Sequence, residues 1–239
     1  MKLTIFKNKI MKTAITLITA LLLTSFPTLN ANKQIQEMAS EHNSNTACQD
    51  FGQKPITIFD GKTFKGWKGD LKTFRIENGC IVGGNLKNKI PQNEFLCTTR
   101  SYKNFILSIE CKLISVDGKV NAGVQFRSKR IPDNNEVIGY QADMTCGKDG
   151  GLWGYIYDES RRRTMLAKPI NVKVKNNDWN TLEIRCEGPR IRLFINGIQT
   201  TDYTETDNNI PDEGIIGLQI HAGEPSEAWY RNITIEELL

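Results

Sequence analysis

Residues 105–113, FILSIECKL, decide the fold. Phe105, Leu107, Ile109, Cys111 and Leu113 recur at every second position and leave Ser108, Glu110 and Lys112 on the other side. A period of two is that of a half-buried β-strand, because successive side chains of a strand point to opposite faces. The pattern continues in both directions. FRIE, CIVG and FLCTT precede it; AGVQFRS, GYQADM, LWGYIY, TLEIRCE, RIRLFI, IQTTDY, GIIGLQIH and WYRNITIEE follow it. Asn78-Gly79 and Asn196-Gly197 sit between such runs and suit type I′ turns, and Glu187-Gly188-Pro189 makes a third turn. About a dozen short strands with almost no helical period predict an all-β antiparallel sandwich.

The composition agrees with a folded protein: 239 residues, 39% apolar, 24% charged and 8% aromatic, which excludes a disordered chain, a collagen and a disulfide miniprotein. The net charge of +4 comes from one end. Residues 1–31 hold Lys2, Lys7, Lys9 and Lys12 and no acid, so removing them leaves 27 basic residues against 27 acidic ones. No composition-level case for a nucleic-acid partner survives that removal. The removal is expected, because the lysines precede an apolar run from Ala14 to Leu23 and a small residue at Ala31, the pattern of a secretory signal. The run is shorter than the roughly 18 to 20 apolar residues of a membrane span. The expected organisation is a signal peptide over 1–31, a polar tether over 32–53 and a folded domain over 54–239, giving an exported protein with no membrane span. Six cysteines would allow 15 full pairings, although Cys111 and Cys186 are in phase with the apolar residues of their strands and read as core thiols. With no CxxC and two histidines, a zinc site has little support.

Strand phase also sorts the polar residues. In NAGVQFRS the apolar set is Ala122, Val124 and Phe126, which groups Asn121, Gln125 and Arg127. Gln141 and Asp143 share a face of GYQADM, Gln219 and His221 share one of GLQIHAG, and Glu110 faces away from the core in FILSIECKL. A solvated sheet face alternates in the same way, but it is usually rich in Lys, Thr, Ser and Glu. These strands instead offer amides, Asp, Arg and His, with Gly123 and Gly217 beside them, a set suited to recognising hydroxyl groups. Trp153, Tyr155 and Tyr157 alternate in LWGYIY and could stack on a sugar ring. Asp158, Glu159 and Arg161 to Arg163 read as a charged turn.

In this order, the segments ITIFDGKTFKGWKG (56–69), FRIENGCIVGG (74–84), TTRSYKNFILSIECKL (98–113), VNAGVQFRS (120–128), GYQAD (139–143), WGYIYDESRR (153–162), DWNTLEIRCEG (178–188) and GIIGLQIHAGEPSEAWYRNITIEEL (214–238) resemble the 3-keto-disaccharide hydrolase domain family. The resemblance implies a concanavalin A-like, jelly-roll β-sandwich and cleavage of disaccharides or glycosides already oxidised to a ketone at C3. Such a ketone acidifies the C2 proton and sets the C1 substituent β to the carbonyl, so a base can start an elimination that hydration completes. The resemblance offers Glu110, Asp143 or His221 as base or acid, and Arg127 or His221 as donor to developing negative charge. It implies Asn121, Gln125, Gln141, Glu159 and Gln219 as substrate-binding residues and Trp153 or Tyr157 as a stacking surface. Ala122 departs from the family, many of whose members carry Ser after the Asn.

Two-carboxylate glycosidases of this fold place paired acids on one strand face, whereas SIECKL has one Glu and Asp158-Glu159 points to opposite sides, so retaining hydrolysis is disfavoured. The alternative reading is a non-catalytic lectin-like glycan-binding module, since the same sandwich carries lectins. No obligatory cofactor is expected; structural calcium, with Asp60, Asp143 and Asp158 as oxygen donors, is the alternative.

Overall fold

The computed structural model describes residues 54–146 and 151–239. The expected signal peptide, and the expected tether as far as residue 53, lie outside the described residues. Among the described residues every regular element is a strand. The first seven are β1 (Ile56–Thr57), β2 (Trp67–Lys68), β3 (Phe74–Glu77), β4 (Cys80–Asn85), β5 (Glu94–Tyr102), β6 (Phe105–Ser115) and β7 (Val120–Arg130). They are followed by β8 (Val137–Cys146), β9 (Trp153–Glu159), β10 (Met165–Ala167), β11 (Asn180–Glu187) and β12 (Arg190–Ile195). Then come β13 (Ile198–Thr204), β14 (Gly214–Ile220) and β15 (Ser226–Glu237).

Two antiparallel sheets result, as the alternation requires. The front sheet runs β10-β9-β8-β7-β14-β5-β2, and the back sheet runs β13-β12-β11-β6-β15-β4-β3 with β1 paired to β15. The predicted turns close their hairpins: Asn78 and Gly79, and Asn196 and Gly197, take the positive φ angles of a type I′ turn. Gly188, also at positive φ, turns β11 into β12.

The core lies between the sheets. Leu107, Ile109, Cys111 and Leu113 of β6 meet Val124, Phe126, Ala122, Leu218 and Ile220 of the front sheet, all fully or almost fully buried. Each buried Leu or Ile contributes roughly 1.5–3 kcal/mol relative to an exposed one. Cys111 and Cys186 are buried in that core, and Cys80, Cys97, Cys111, Cys146 and Cys186 are all free thiols.

At one edge the sheets are clasped by Glu205, beyond β13, which accepts hydrogen bonds from Tyr140 Oη of β8 (2.6 Å), Tyr203 Oη of β13 (3.0 Å) and Arg162 Nη2 (2.6 Å). Burial pushes the Glu205 carboxyl up, but the bonds from Arg162, Tyr140 and the Asp207 backbone outweigh it and hold Glu205 far below the usual carboxylate range.

Candidate active site

The outward face of the front sheet carries three cross-strand rows. Gln219 of β14 is paired with Gly123 of β7, Gly123 with Asp143 of β8, and Asp143 with Tyr155 of β9. One row along, Gly217, Gln125, Gln141 and Tyr157 are neighbours in the same order. The third row is short: the His221 N–H donates to Asn121 O at 3.2 Å, and Asn121 is paired with Thr145. Antiparallel register therefore gathers residues from widely separated segments of the chain.

Gly123 shapes the face. A Cβ on Gly123 would come within 2.6 Å of the Gln141 side chain, so Gly123 lets that amide lie across β7. Gln141 Nε2 thereby donates to Gln219 Oε1 at 3.1 Å, while Gln125 Nε2 donates to Gln141 Oε1 and Ser128 Oγ donates to Gln125 Oε1 at 2.9 Å. Ser128, Gln125, Gln141 and Gln219 thus form one hydrogen-bonded chain across the face. It ends at Gln219 Nε2, which is buried and has no partner. Asn121 Oδ1 is a buried acceptor without a partner, and so is Glu136 Oε2, whose other oxygen accepts from Asn93 Nδ2 at 3.1 Å. Unpaired buried polar atoms are costly, and three on one face mark a place built for a ligand's own polar groups.

The ionisable groups are tuned in different directions. Asp143 is 4% exposed, and its Oδ1 and Oδ2 accept from Met144 N at 2.8 Å and Tyr155 Oη at 2.7 Å. Burial raises its pKa despite those bonds. Glu159 is also raised, by burial first and then by the negative charges of Glu136 and Asp143, with His221 acting in the opposite sense. Tyr155 is pushed far above its ordinary range, by burial and by Asp143, and so stays a phenol. His221 Nδ1 is 2.7 Å from Ala222 O; a carbonyl can only accept, so Nδ1 carries the hydrogen and Nε2 of the neutral ring keeps a lone pair. His221 and Asn121 line a cavity of about 460 Å³ with Thr145 and Cys146.

Of the residues expected in the site, the structure thus brings together Asn121, Gln125, Gln141, Asp143, Tyr157, Glu159, Gln219 and His221. It does not bring Glu110, Arg127 or Trp153 to them. Glu110 lies on β6 in the back sheet, where Arg231 Nε donates to it at 2.7 Å and Asn232 Nδ2 at 2.9 Å. Burial raises Glu110, but those two partners prevail and keep it ionised. Arg127 sits in a bulge of β7 at φ 46°, which turns its guanidinium away to the carbonyls of Lys103 and Gly188. Trp153 is paired with Met144 across a register shift at Gly154, whose φ is 73°, and this puts the indole in the core while Tyr155 and Tyr157 stay outside.

The three aspartates considered for calcium are apart and occupied. Asp60 caps its own turn through Lys62 N and Thr63 N, and Asp158 is paired with Arg161 and Arg162. Among the described residues no three His, Cys, Asp or Glu are placed to hold a metal ion.

Sequence reasoning missed Glu136 and Asn93, which stand at strand ends with no periodic signal, and weighed Tyr155 only as an aromatic surface.

A 3-keto-disaccharide hydrolase of Bacteroides thetaiotaomicron is 28% identical over 235 residues, covering 77% of this chain and 78% of that protein. A glycosyl hydrolase candidate from Parabacteroides distasonis superposes with a TM-score of 0.59 at 19% identity, covering 77% of this chain and 94% of that one. A Bacillus subtilis protein of unknown function with a galectin-like fold gives 0.56 at 10% identity, over 79% of this chain and 96% of its own. The last two share the fold, a jelly-roll sandwich. The family profile described as the 3-keto-alpha-glucoside-1,2-lyase-like domain matches residues 54–236, and the chain belongs to that family.

Proposed function

We propose that the protein is an exported carbohydrate-active hydrolase that cleaves 3-keto-disaccharides or 3-keto-glycosides by removal of the C2 proton, elimination and hydration. Family membership and the 3-keto-disaccharide hydrolase relative support the substrate class. Export rests on the lysine-rich, apolar N-terminal segment. The observation that carries the site is the convergence of the unpartnered Gln219 Nε2 and Asn121 Oδ1 on the face that holds His221, Asp143 and Glu159.

In this reading His221 Nε2 takes the C2 proton, and the nearby negative charge of Asp143 stabilises the imidazolium that forms. Gln219 Nε2, fed by the chain of amides behind it, donates to the enolate oxygen at C3. Glu159, which keeps its proton to higher pH than an ordinary carboxyl, protonates the departing C1 oxygen. The C1–O bond breaks and a 1,2-ene-3-ketone remains. Water then adds its oxygen to C1 and a proton to C2, giving 3-keto-glucose. Asn121 accepts from a sugar hydroxyl, and Tyr157 offers its ring to the sugar.

The test is incubation with 3-keto-trehalose, a 3-keto-glucoside and their unoxidised parents, following product by mass. Release from the ketosugars alone supports the reading. Saturable sugar binding with no release from any substrate overturns it and leaves a glycan-binding module.

A further inference from the structure

A second cavity of the front sheet is lined by none of the residues gathered at this site. It measures about 540 Å³ and opens between β5, the bulge of β7, the start of β8 and residues 209–215. It adjoins the proposed active site: Arg130 reaches Phe95 O, and Phe95 is the register partner of Gln219. Its walls are apolar, with Ile138, Ile210, Pro211 and Ile215, and its charged groups are four cations, Lys68, Arg127, Lys129 and Arg130, besides Arg161 and a lone acid, Glu213.

The cations are poorly compensated. Arg127 is 3% exposed, yet among the described residues its guanidinium meets only neutral oxygens: Lys103 O at 2.7 and 3.0 Å, Gly188 O at 2.7 Å and Asn104 Oδ1 at 3.3 Å. Arg130 Nη2 likewise donates only to Lys68 O at 2.8 Å and Phe95 O at 2.7 Å. Arg161, by contrast, is paired: its Nε donates to Asp158 Oδ1 at 2.8 Å, a carboxylate it shares with Arg162, and only its Nη2 makes no hydrogen bond. A buried guanidinium without a countercharge is costly, and an anion seated in the adjoining cavity would remove that cost.

We propose that this cavity is a second, non-catalytic site for a small organic anion, with its oxyanion against Arg127, Arg130, Lys68 and Lys129 and an apolar body against Ile138, Ile210 and Ile215. Calorimetric titration of the purified protein with benzoate, phenyl phosphate, benzamide and inorganic phosphate tests it. At least one of the two aromatic anions is expected to bind at one site per chain, and tighter binding of either one supports the site and assigns the oxyanion as carboxylate or phosphate. Benzamide and inorganic phosphate are expected to bind at least about 10-fold more weakly, because each lacks one half of the recognised chemistry. Lys68→Glu with Lys129→Glu changes two exposed side chains; it should weaken the aromatic anion about 10-fold or more and leave ketosugar cleavage within about 2-fold. The proposal is overturned by the absence of binding, by benzamide matching benzoate, by inorganic phosphate matching phenyl phosphate, or by unchanged affinity in the double variant. None of these outcomes bears on the catalytic reading, which is scored by ketosugar release.

Discussion

Tyr155 Oη donates a 2.7 Å hydrogen bond to Asp143 Oδ2 across the β8–β9 pair, inside a face where Asp143 is almost wholly buried. Burial raises the Asp143 pKa, so its ionised form costs stability above the folded-state pKa, and that cost disappears once the pH falls below the ordinary value of about 3.9. Asp143→Asn should therefore leave the melting temperature at pH 8 equal or higher. The same change should lower kcat by about 100-fold, through loss of the charge beside His221. Thermal unfolding and steady-state rates on one preparation check both halves.

Glu159 carries the opposite kind of prediction, one about rate against pH. Because burial and the charges of Glu136 and Asp143 keep it protonated to higher pH, the acid form is lost, and the rate falls, as pH rises through that elevated pKa. Glu159→Gln should flatten this limb and cut the rate about 100-fold or more on a glycoside with a poor leaving group. A nitrophenyl 3-keto-glucoside, whose leaving oxygen needs no proton, should lose much less.

Gly123 is where the amide chain crosses β7. Gly123→Ala puts a methyl within 2.6 Å of Gln141, displacing its amide and breaking the bond to Gln219. We expect kcat to fall about 10-fold or more for a stability loss of about 1–3 kcal/mol, since the displaced groups are buried. Urea unfolding and turnover separate the two effects.

Glu205 should matter to stability alone. Burial acts against its ionisation, yet Arg162 and Tyr140 hold its pKa well below normal, so its contribution is full above about pH 4.5, declines below that, and is gone only once the pH falls through the lowered folded-state pKa. Glu205→Gln should cost about 2 kcal/mol at pH 7 and a smaller but still measurable amount at pH 3, measured by urea unfolding at the two values.

Much of this fold is written in the alternation of FILSIECKL and its neighbours, and the Asn-Gly turns fix where hairpins close. The grouping Gln141 with Asp143, or Gln219 with His221, follows from phase alone. Phase does not say which sheet a strand joins. β6 belongs to the back sheet and β7 to the front one, the chain crossing between them at residues 116–119, so Glu110 and Gln125 never share a surface. Nor does phase survive a bulge, which is why Arg127 and Trp153 left the face that alternation assigned to them. Glu110→Gln should accordingly leave turnover within about 2-fold, and its partly exposed bond to Arg231 should be worth no more than about 1 kcal/mol.

In the proposed reaction, cleavage begins at the C2 proton and His221 accepts it. Cleavage of a 3-keto-glucoside in D2O, against an enzyme-free control, reads this directly in the NMR spectrum of the released 3-keto-glucose. Elimination and hydration predict one solvent deuteron at C2 in every product molecule formed by the wild type, with cleavage and enzyme-dependent exchange both lost in His221→Asn. Full-rate release of sugar that retains its C2 proton would rule out proton removal at C2 as the first step.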